Sequence, residues 1–225
     1  MPRITVSAGN HDRLFVPVTA TVPAVGAGPL QLVDQESQRA VPFQVGGDGS
    51  QITWIVENLA AGQSRDYVLS PGAGTPAPGV SLQTVGEDRV EVRIGEELFT
   101  AYYFGREYAR PFLYPVIGPF GASVTRHFPM KNVEGENQDH KHHRSLYTAF
   151  GDVNGVDDWS EEPGHGRIVH AGFRGLEEGP VYAAIRSRSD WVSNAGEKVL
   201  SETRDVVIYA LPSALRVIDY EVSLN

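Results

Sequence analysis

Three histidines lie within four positions of one segment, at His140, His142 and His143. If the segment is extended, side chains alternate, so His140 and His142 share one face. Two imidazoles at this spacing can bind one divalent ion through neutral ring nitrogens. A third ligand must come from elsewhere: His165 in the metal site that we predict, with His127 and His170 as alternatives. The sequence assigns no cofactor beyond this candidate divalent metal.

The same cluster also suits acid–base chemistry, because an imidazole exchanges protons near neutral pH. In this interpretation His140 or His142 donates or accepts a proton at a substrate oxygen, and His143, on the other face of an extended segment, is a further catalytic candidate. Asp139 orients the ring and fixes its tautomer. The structural alternative is a solvated basic turn, or histidines that bind buried carbonyls.

Side chains that could hold a small polar substrate flank the histidines. Arginine binds carboxylates and hydroxyls, and an aromatic face stacks on a sugar ring. The substrate-binding candidates are Arg110, Arg126, Arg144, Tyr147, Asn154 and Trp159. For Arg110 a surface ion pair is the alternative role.

An acidic stretch after the histidines offers oxygen ligands for calcium at Asp152, Asn154, Asp157 and Asp158. An EF-hand loop needs a glutamate at its twelfth position, and counted from Asp152 that position holds Pro163. The sequence Asn154-Gly155 is more typical of a hairpin turn.

Short alternating apolar runs, rather than helical periodicity, must position these residues. Val90, Val92 and Ile94 alternate with polar residues, and the last two runs, at 206–210 and 218–224, predict a β-hairpin. Further strands are predicted over Phe15–Val22, Gln51–Val56 and Arg65–Leu69. The chain is therefore predicted to be all-β, an antiparallel β-sandwich preceded by a small β module.

The composition of the chain restricts its domain organisation and the classes of partner that it can bind. Residues 71–79 are almost entirely Gly, Pro and Ala, which predicts a linker between a module at 1–70 and a larger domain at 80–225. A formal charge of −9 argues against nucleic acid as a partner. The chain contains no cysteine, which excludes disulfides and thiolate chemistry. No apolar run approaches the ~20 residues of a membrane helix, and no signal peptide is recognised, so we expect a cytoplasmic protein without membrane contact.

Several of these stretches together resemble the PmoA-like family of unknown function, DUF6807. The motifs that carry the resemblance are Arg110-Pro111, Tyr114-Pro115, Gly118-Pro119, Val124–Arg126, Asp139–Leu146, Gly151–Gly155, Trp159-Ser160, Gly164–His170 and Arg204–Asp219. Members of this family usually extend beyond the point where this chain stops, so the chain resembles a C-terminally truncated member. An unfinished sheet edge at Asn225 would then favour a homo-oligomer.

The resemblance implies a galactose mutarotase-like β-sandwich and a small-molecule carbohydrate as the partner, with sugar epimerase-, lyase- or hydrolase-like acid–base chemistry. The family label refers to methane oxygenase, whose true subunit is an integral membrane protein. That activity is not carried over to a chain without a membrane span. Two alternatives stay open: a metal-binding protein using His140 and His142, and a non-catalytic module that binds glycan or protein.

Overall fold

A computed structural model describes residues 2–23, 28–47, 49–73 and 79–225. These residues form antiparallel strands, with one short 3₁₀ turn at Pro119–Gly121 and no α-helix. The strands are β1 (Arg3–Ser7), β2 (Arg13–Thr21), β3 (Leu30–Asp34), β4 (Ala40–Val41), β5 (Phe43–Val45), β6 (Gln51–Leu59), β7 (Ser64–Pro71), β8 (Val80–Val85), β9 (Arg89–Ile94), β10 (Glu97–Tyr103), β11 (Phe112–Leu113), β12 (Leu146–Tyr147), β13 (Arg167–Glu177), β14 (Tyr182–Val192), β15 (Lys198–Tyr209) and β16 (Ile218–Leu224). The predicted all-β class is confirmed.

The chain divides into two compact units. The first comprises Met1–Gly79 with Gly179–Tyr182. Its sheets, β1-β7-β3-β4 and β2-β6-β5, enclose a core that includes Leu32, Trp54 and Tyr67. Trp54 and Tyr67 meet edge to face with ring centroids 5.2 Å apart. This arrangement buries the two largest aromatic side chains of the core against each other.

The second unit, Val80–Glu178 with Ala183–Asn225, contains every candidate site residue. A five-stranded sheet, β12-β11-β10-β9-β8, and a four-stranded sheet, β13-β14-β15-β16, contribute to one core. Val92 and Tyr102 from the first sheet pack with Ile185 and Val206 from the second. Two antiparallel sheets that share one apolar core form a β-sandwich. The galactose mutarotase-like form of this sandwich stays a prediction.

The alternating runs became strands because one face of each meets the core. Val90 and Val92 are fully buried in β9. The terminal hairpin is confirmed, since β15 and β16 pair antiparallel with Val206 opposite Tyr220. The predicted linker at 71–79 has its centre, 74–78, outside the described residues. Within the described ranges, no helix has the length and apolar character needed to cross a membrane.

Candidate functional site

A cleft of about 610 Å³ lies beside the edge strand β12. The loop before β12, the strand itself and the loop after it all contribute to its lining. The described residues that line it are Thr125, Arg126, His143, Ser145, Tyr147, Thr148, Ala149 and Trp159. Four of the sequence-predicted site residues, Arg126, His143, Tyr147 and Trp159, are therefore brought together in one cavity.

Two aromatic rings form one wall of the cleft. The ring centroids of Tyr147 and Trp159 are 5.9 Å apart at an interplanar angle of 47°. His143 meets Trp159 edge to face with centroids 5.8 Å apart. Trp159 is 38% exposed, so its ring is accessible from solvent. A half-exposed aromatic surface beside an imidazole offers a stacking face next to a proton-transfer group.

The histidine segment folds as a turn, which differs from the extended geometry considered for the sequence. His140 adopts a left-handed φ of 48°, and the His143 N–H donates to the His140 carbonyl at 2.9 Å. As a result His140 stacks on His143, with centroids 4.8 Å apart and planes within 16°. His142 lies 5.8 Å from His140, and His142 is not among the residues that line the cleft. The turn therefore places His143, rather than the His140–His142 pair, in the lining of the cleft.

Asp139 connects this turn to Arg126. One carboxylate oxygen accepts from Arg126 Nη1 at 3.0 Å, and the other lies 3.0 Å from His140 Nδ1. Hydrogen bonds from His140 and then Arg126 lower the pKa of Asp139. Asp139 therefore contacts His140 and also fixes the arginine that lines the cleft, and its role in catalysis stays a prediction.

Burial and neighbouring positive charge control the charge state of the two inner histidines. Burial, followed by the charges of His140 and Arg126, lowers the pKa of His143. Burial and the charge of His143 lower the pKa of His142. A lowered pKa keeps an imidazole neutral at pH 7, so that it can accept a proton.

Arg110 and Arg144 lie behind the aromatic wall and are joined by Glu161. Arg144 donates to both Glu161 oxygens, at 3.0 and 2.8 Å, and Arg110 Nη1 lies 3.2 Å from the same carboxylate. Burial alone would raise the pKa of Glu161, but Arg144 and Arg110 outweigh it and hold the pKa below its usual value. This carboxylate is the anion shared by both guanidinium groups.

Arg110 is buried and pairs with Glu161, so the surface ion pair considered for it is wrong, while its substrate-binding role stays a prediction. Its side chain is 1% exposed. Its guanidinium donates to the carbonyls of His142 and Trp159 at 3.2 and 3.0 Å and lies 5.4 Å from the Tyr147 ring centroid. A buried charge that binds the carbonyls of both loops holds the wall in place. Arg144, likewise outside the lining, belongs to the same cluster.

Asp158 is a buried acidic group near the site that lacks hydrogen-bond partners. The residue is 1% exposed, and neither carboxyl oxygen has a hydrogen-bond partner. Burial raises its pKa to about 6, although the charge of Arg110 acts in the opposite direction. A Cβ at Gly166 would lie 2.5 Å from Asp158 Oδ1, so a glycine is needed to leave room for the carboxyl group.

The acidic stretch forms the hairpin turn that its Asn-Gly pair predicts. Asn154 and Gly155 both have positive φ, 53° and 84°, between the bridged residues Val153 and Val156. Asp152 accepts from the Gly155 N–H at 2.8 Å. Asn154 is exposed and is not in the cleft lining.

The other histidines have separate environments. His127 Nδ1 is bonded to the Tyr114 hydroxyl at 2.8 Å, His165 Nδ1 contacts the Gly166 carbonyl, and His170 packs against Phe104 with centroids 4.7 Å apart. Across the described residues, no group of three or more His, Asp or Glu side chains is arranged to hold a metal ion. The metal site at His140, His142 and His165 stays a prediction.

Sequence reasoning missed several residues that the structure places at or behind the cleft. Three of them offer hydroxyl groups to the lining: Thr125, Ser145 and Thr148. Glu161 binds Arg110 and Arg144 behind it, and Asp158, which was considered only as a calcium ligand, is buried nearby. Thr125 and Ser145 lie within motifs that carry the family resemblance, which is the signal that could have indicated them. For Glu161 no spacing rule connects it to Arg110 or Arg144.

Comparisons with known proteins give one positive result. A family model described as a family of unknown function, DUF6807, matches residues 89–225, which is more than half of the chain. The match includes the whole cleft. Comparison with the curated proteins and with the solved structures finds no significant match.

Proposed function

Because the chain belongs to DUF6807, a family of unknown function, we propose its function from the cleft: it binds a monosaccharide and transfers a proton at one of the sugar's hydroxyl groups. The observation that carries this proposal is the lining itself, in which Tyr147 and Trp159 adjoin His143 and three hydroxyl side chains. A mutarotase-like sandwich, which the sequence resemblance implies, would suit the same class of ligand.

The cleft has the size and chemistry for one sugar ring. Its volume of about 610 Å³ is within the usual range for small-molecule sites. A pyranose has apolar C–H faces and polar edges, so it can place a face on Trp159 and its hydroxyls towards polar side chains. Ser145 Oγ donates to Thr125 Oγ1 at 2.8 Å, which leaves the lone pairs of Ser145 for a ligand hydroxyl.

His143 is the proton-transfer group of this proposal. It lines the cleft, and burial together with nearby positive charge lowers its pKa, which favours the neutral imidazole. His140 stacks on its far face and is held by Asp139. Asp139 and His140 therefore act as positioning residues, and His143 accepts the proton.

The pH dependence of turnover tests the role of His143. A base must be neutral to act, so activity should rise as pH increases through the folded-state pKa. Since that pKa is below the ordinary value of 6.5, the half-maximal rate should occur below pH 6.5. The measurement is kcat/KM against pH for a sugar that the protein converts. A half-maximal rate above pH 7 would assign the base to another group.

Tryptophan fluorescence can test binding directly. Trp54 and Trp191 are fully buried, whereas Trp159 is 38% exposed, so acrylamide should quench mainly Trp159. A bound sugar should protect Trp159 from the quencher in a saturable way. We expect Trp159→Ala to weaken binding, measured by calorimetry, about tenfold, or ~1.4 kcal/mol.

A second exposed aromatic residue provides the matched control. Phe120 is 84% exposed and is not in the cleft lining, so Phe120→Ala should leave sugar affinity unchanged. Equal losses from both variants would mean that binding is not at the cleft. If a panel of aldoses, keto-sugars and glycosides neither binds nor reacts, the proposed function is wrong. Binding without turnover would support the cleft as the sugar-binding site and contradict the catalytic role of His143.

A further inference from the structure

The charge of the cleft lining differs from that of the whole chain. The chain has 28 acidic and 19 basic residues. The described residues of the lining nevertheless include one arginine, one histidine and no aspartate or glutamate. A site for neutral sugars has no need to exclude carboxylates, which are good acceptors for hydroxyl groups. Their absence from the lining removes the repulsion that an anionic ligand would otherwise meet.

Arg126 is the fixed cation of this lining, and its orientation is set by the protein. Nη1 donates to Asp139 Oδ1 at 3.0 Å, and Nη2 donates to the carbonyls of Asn137 and Asp139 at 2.7 and 2.9 Å. These bonds use three of the five guanidinium N–H groups. Asp139 binds the guanidinium through Oδ1 alone, because its Oδ2 faces His140 Nδ1, so the side-chain pair is not bidentate.

The charged groups packed behind Tyr147 also favour an anionic ligand. Arg110 lies 5.4 Å from the Tyr147 ring centroid, and with Arg144 it shares the carboxylate of Glu161. One anion therefore balances two cations. The remaining carboxyl group near Arg110, Asp158, has a pKa of about 6, so its charge is fully developed only above that pH. These four groups carry a net positive charge at weakly acidic pH and become neutral above it, so they never repel an anion.

We infer that the ligand of the cleft is a sugar acid, a monosaccharide ring that carries a carboxylate such as a uronate. This inference rests on the proposed function and specifies its substrate class. The ring stacks on Tyr147 and Trp159, and the carboxylate binds the second N–H of Arg126 Nη1, because the Nε–H of this arginine is buried. A single arginine with one free donor matches a carboxylate, whereas a phosphate ester carries about −1.5 to −2 and needs more donors.

Matched pairs of sugars test this directly with the native protein. Calorimetric titrations would compare glucuronate with glucose and galacturonate with galactose. Glucose 6-phosphate would be compared with glucose and with glucuronate. We expect each uronate to bind about tenfold or more tightly than its parent hexose, because charge-assisted hydrogen bonds are the stronger ones. The advantage should shrink as ionic strength rises, since the Arg126 side chain is 24% exposed and salt screens a partly exposed charge.

Variants then assign the effect to Arg126. Arg126→Gln should bring the ratio of uronate affinity to hexose affinity, measured on the same variant, close to one. Arg188, which is exposed on β14 outside the lining, provides a control: Arg188→Gln removes the same charge and should preserve the preference. If Arg126→Gln does not fold, Arg126→Lys keeps the charge without the planar donors and should retain only part of the preference.

The outcomes separate the two proposals. Hexoses that bind as well as uronates would overturn the sugar-acid inference and leave the carbohydrate function in place. Tighter binding of glucose 6-phosphate than of glucuronate would overturn the assignment to a carboxylate. If none of these sugars binds, both proposals are wrong. An unchanged uronate preference in folded Arg126→Gln would also overturn the inference.

Discussion

Glu161→Gln should lower the free energy of unfolding by about 3 kcal/mol, because it removes the anion between two buried guanidinium groups. Arg110 is 1% exposed and Arg144 is 17% exposed, and both bind the Glu161 carboxylate. Glutamine keeps the size of the side chain but leaves two cations facing a neutral amide. Urea unfolding near pH 7 measures the loss.

The neighbouring residue gives a matched control for this prediction. Glu162 pairs with Lys141 at 3.4 Å, but both side chains are more than 60% exposed. Glu162→Gln should therefore cost less than ~1 kcal/mol, as is usual for surface ion pairs. A similar small effect for Glu161→Gln would show that the arginines find other partners. A double-mutant cycle with Arg144→Gln would then show whether the pair is coupled.

Glu161→Gln should also affect the two loops that line the cleft. Arg110 binds the carbonyls of His142 and Trp159, so it joins the loop before β12 to the loop after it. When Glu161 no longer anchors Arg110, we expect both loops to open locally before the sandwich unfolds. Faster amide hydrogen exchange in these two loops, with unchanged exchange in β15, would show this local effect.

The sequence contained enough information to predict the sheets. Val90, Val92 and Ile94 alternate because one face of β9 meets the core, and the same rule identified β16 from Ile218 to Leu224. Strand periodicity is a local property, so it can be recognised without knowing the partner strand. Tyr147 and Trp159 were both expected to stack on a sugar ring beside the histidines, and their ring centroids lie 5.9 Å apart.

The interior of the site could not be predicted in this way. Glu161 meets Arg110 and Arg144 only after two loops close, and no spacing rule reports such a contact. His140 was considered as part of an extended pair, but its left-handed φ of 48° forms a turn that selects His143 instead. Asp157-Asp158 has the composition of a solvated turn, yet Asp158 is buried. Backbone turns and burial of isolated charges depend on tertiary contacts, which composition does not encode.

Asp158→Asn should stabilise the folded chain near pH 7.5 by about 3 kcal/mol, because the native carboxyl group is ionised there without a hydrogen-bond partner. Burial raises its folded-state pKa from 3.8 to about 6. The folded state therefore binds the proton more tightly than the unfolded state, and stability falls as pH rises from about 4 to 6. The charged and titratable groups that act on Asp158 are Arg110, Asp157 and His165.

The measurement is the difference in unfolding free energy between Asp158→Asn and the native chain, near pH 4.5 and near pH 7.5. Titrations common to both proteins cancel in this difference. We expect the advantage of the variant to grow by about 2 kcal/mol between the two pH values, following the linkage relation. An advantage that does not change with pH would mean that Asp158 titrates normally in the folded state.

Asp157, the preceding residue, should show the opposite effect on the free energy of unfolding. Its carboxylate accepts from the Ser160 hydroxyl and from the Trp159 N–H, and these bonds lower its pKa. A lowered pKa stabilises the fold above the unfolded-state value and is lost only in stronger acid. Asp157→Asn should therefore destabilise the chain by nearly the same amount near pH 4.5 and near pH 7.5. Two adjacent aspartates would then show opposite signs, because one anchors the loop of Trp159 with its charge while the other is buried without a partner.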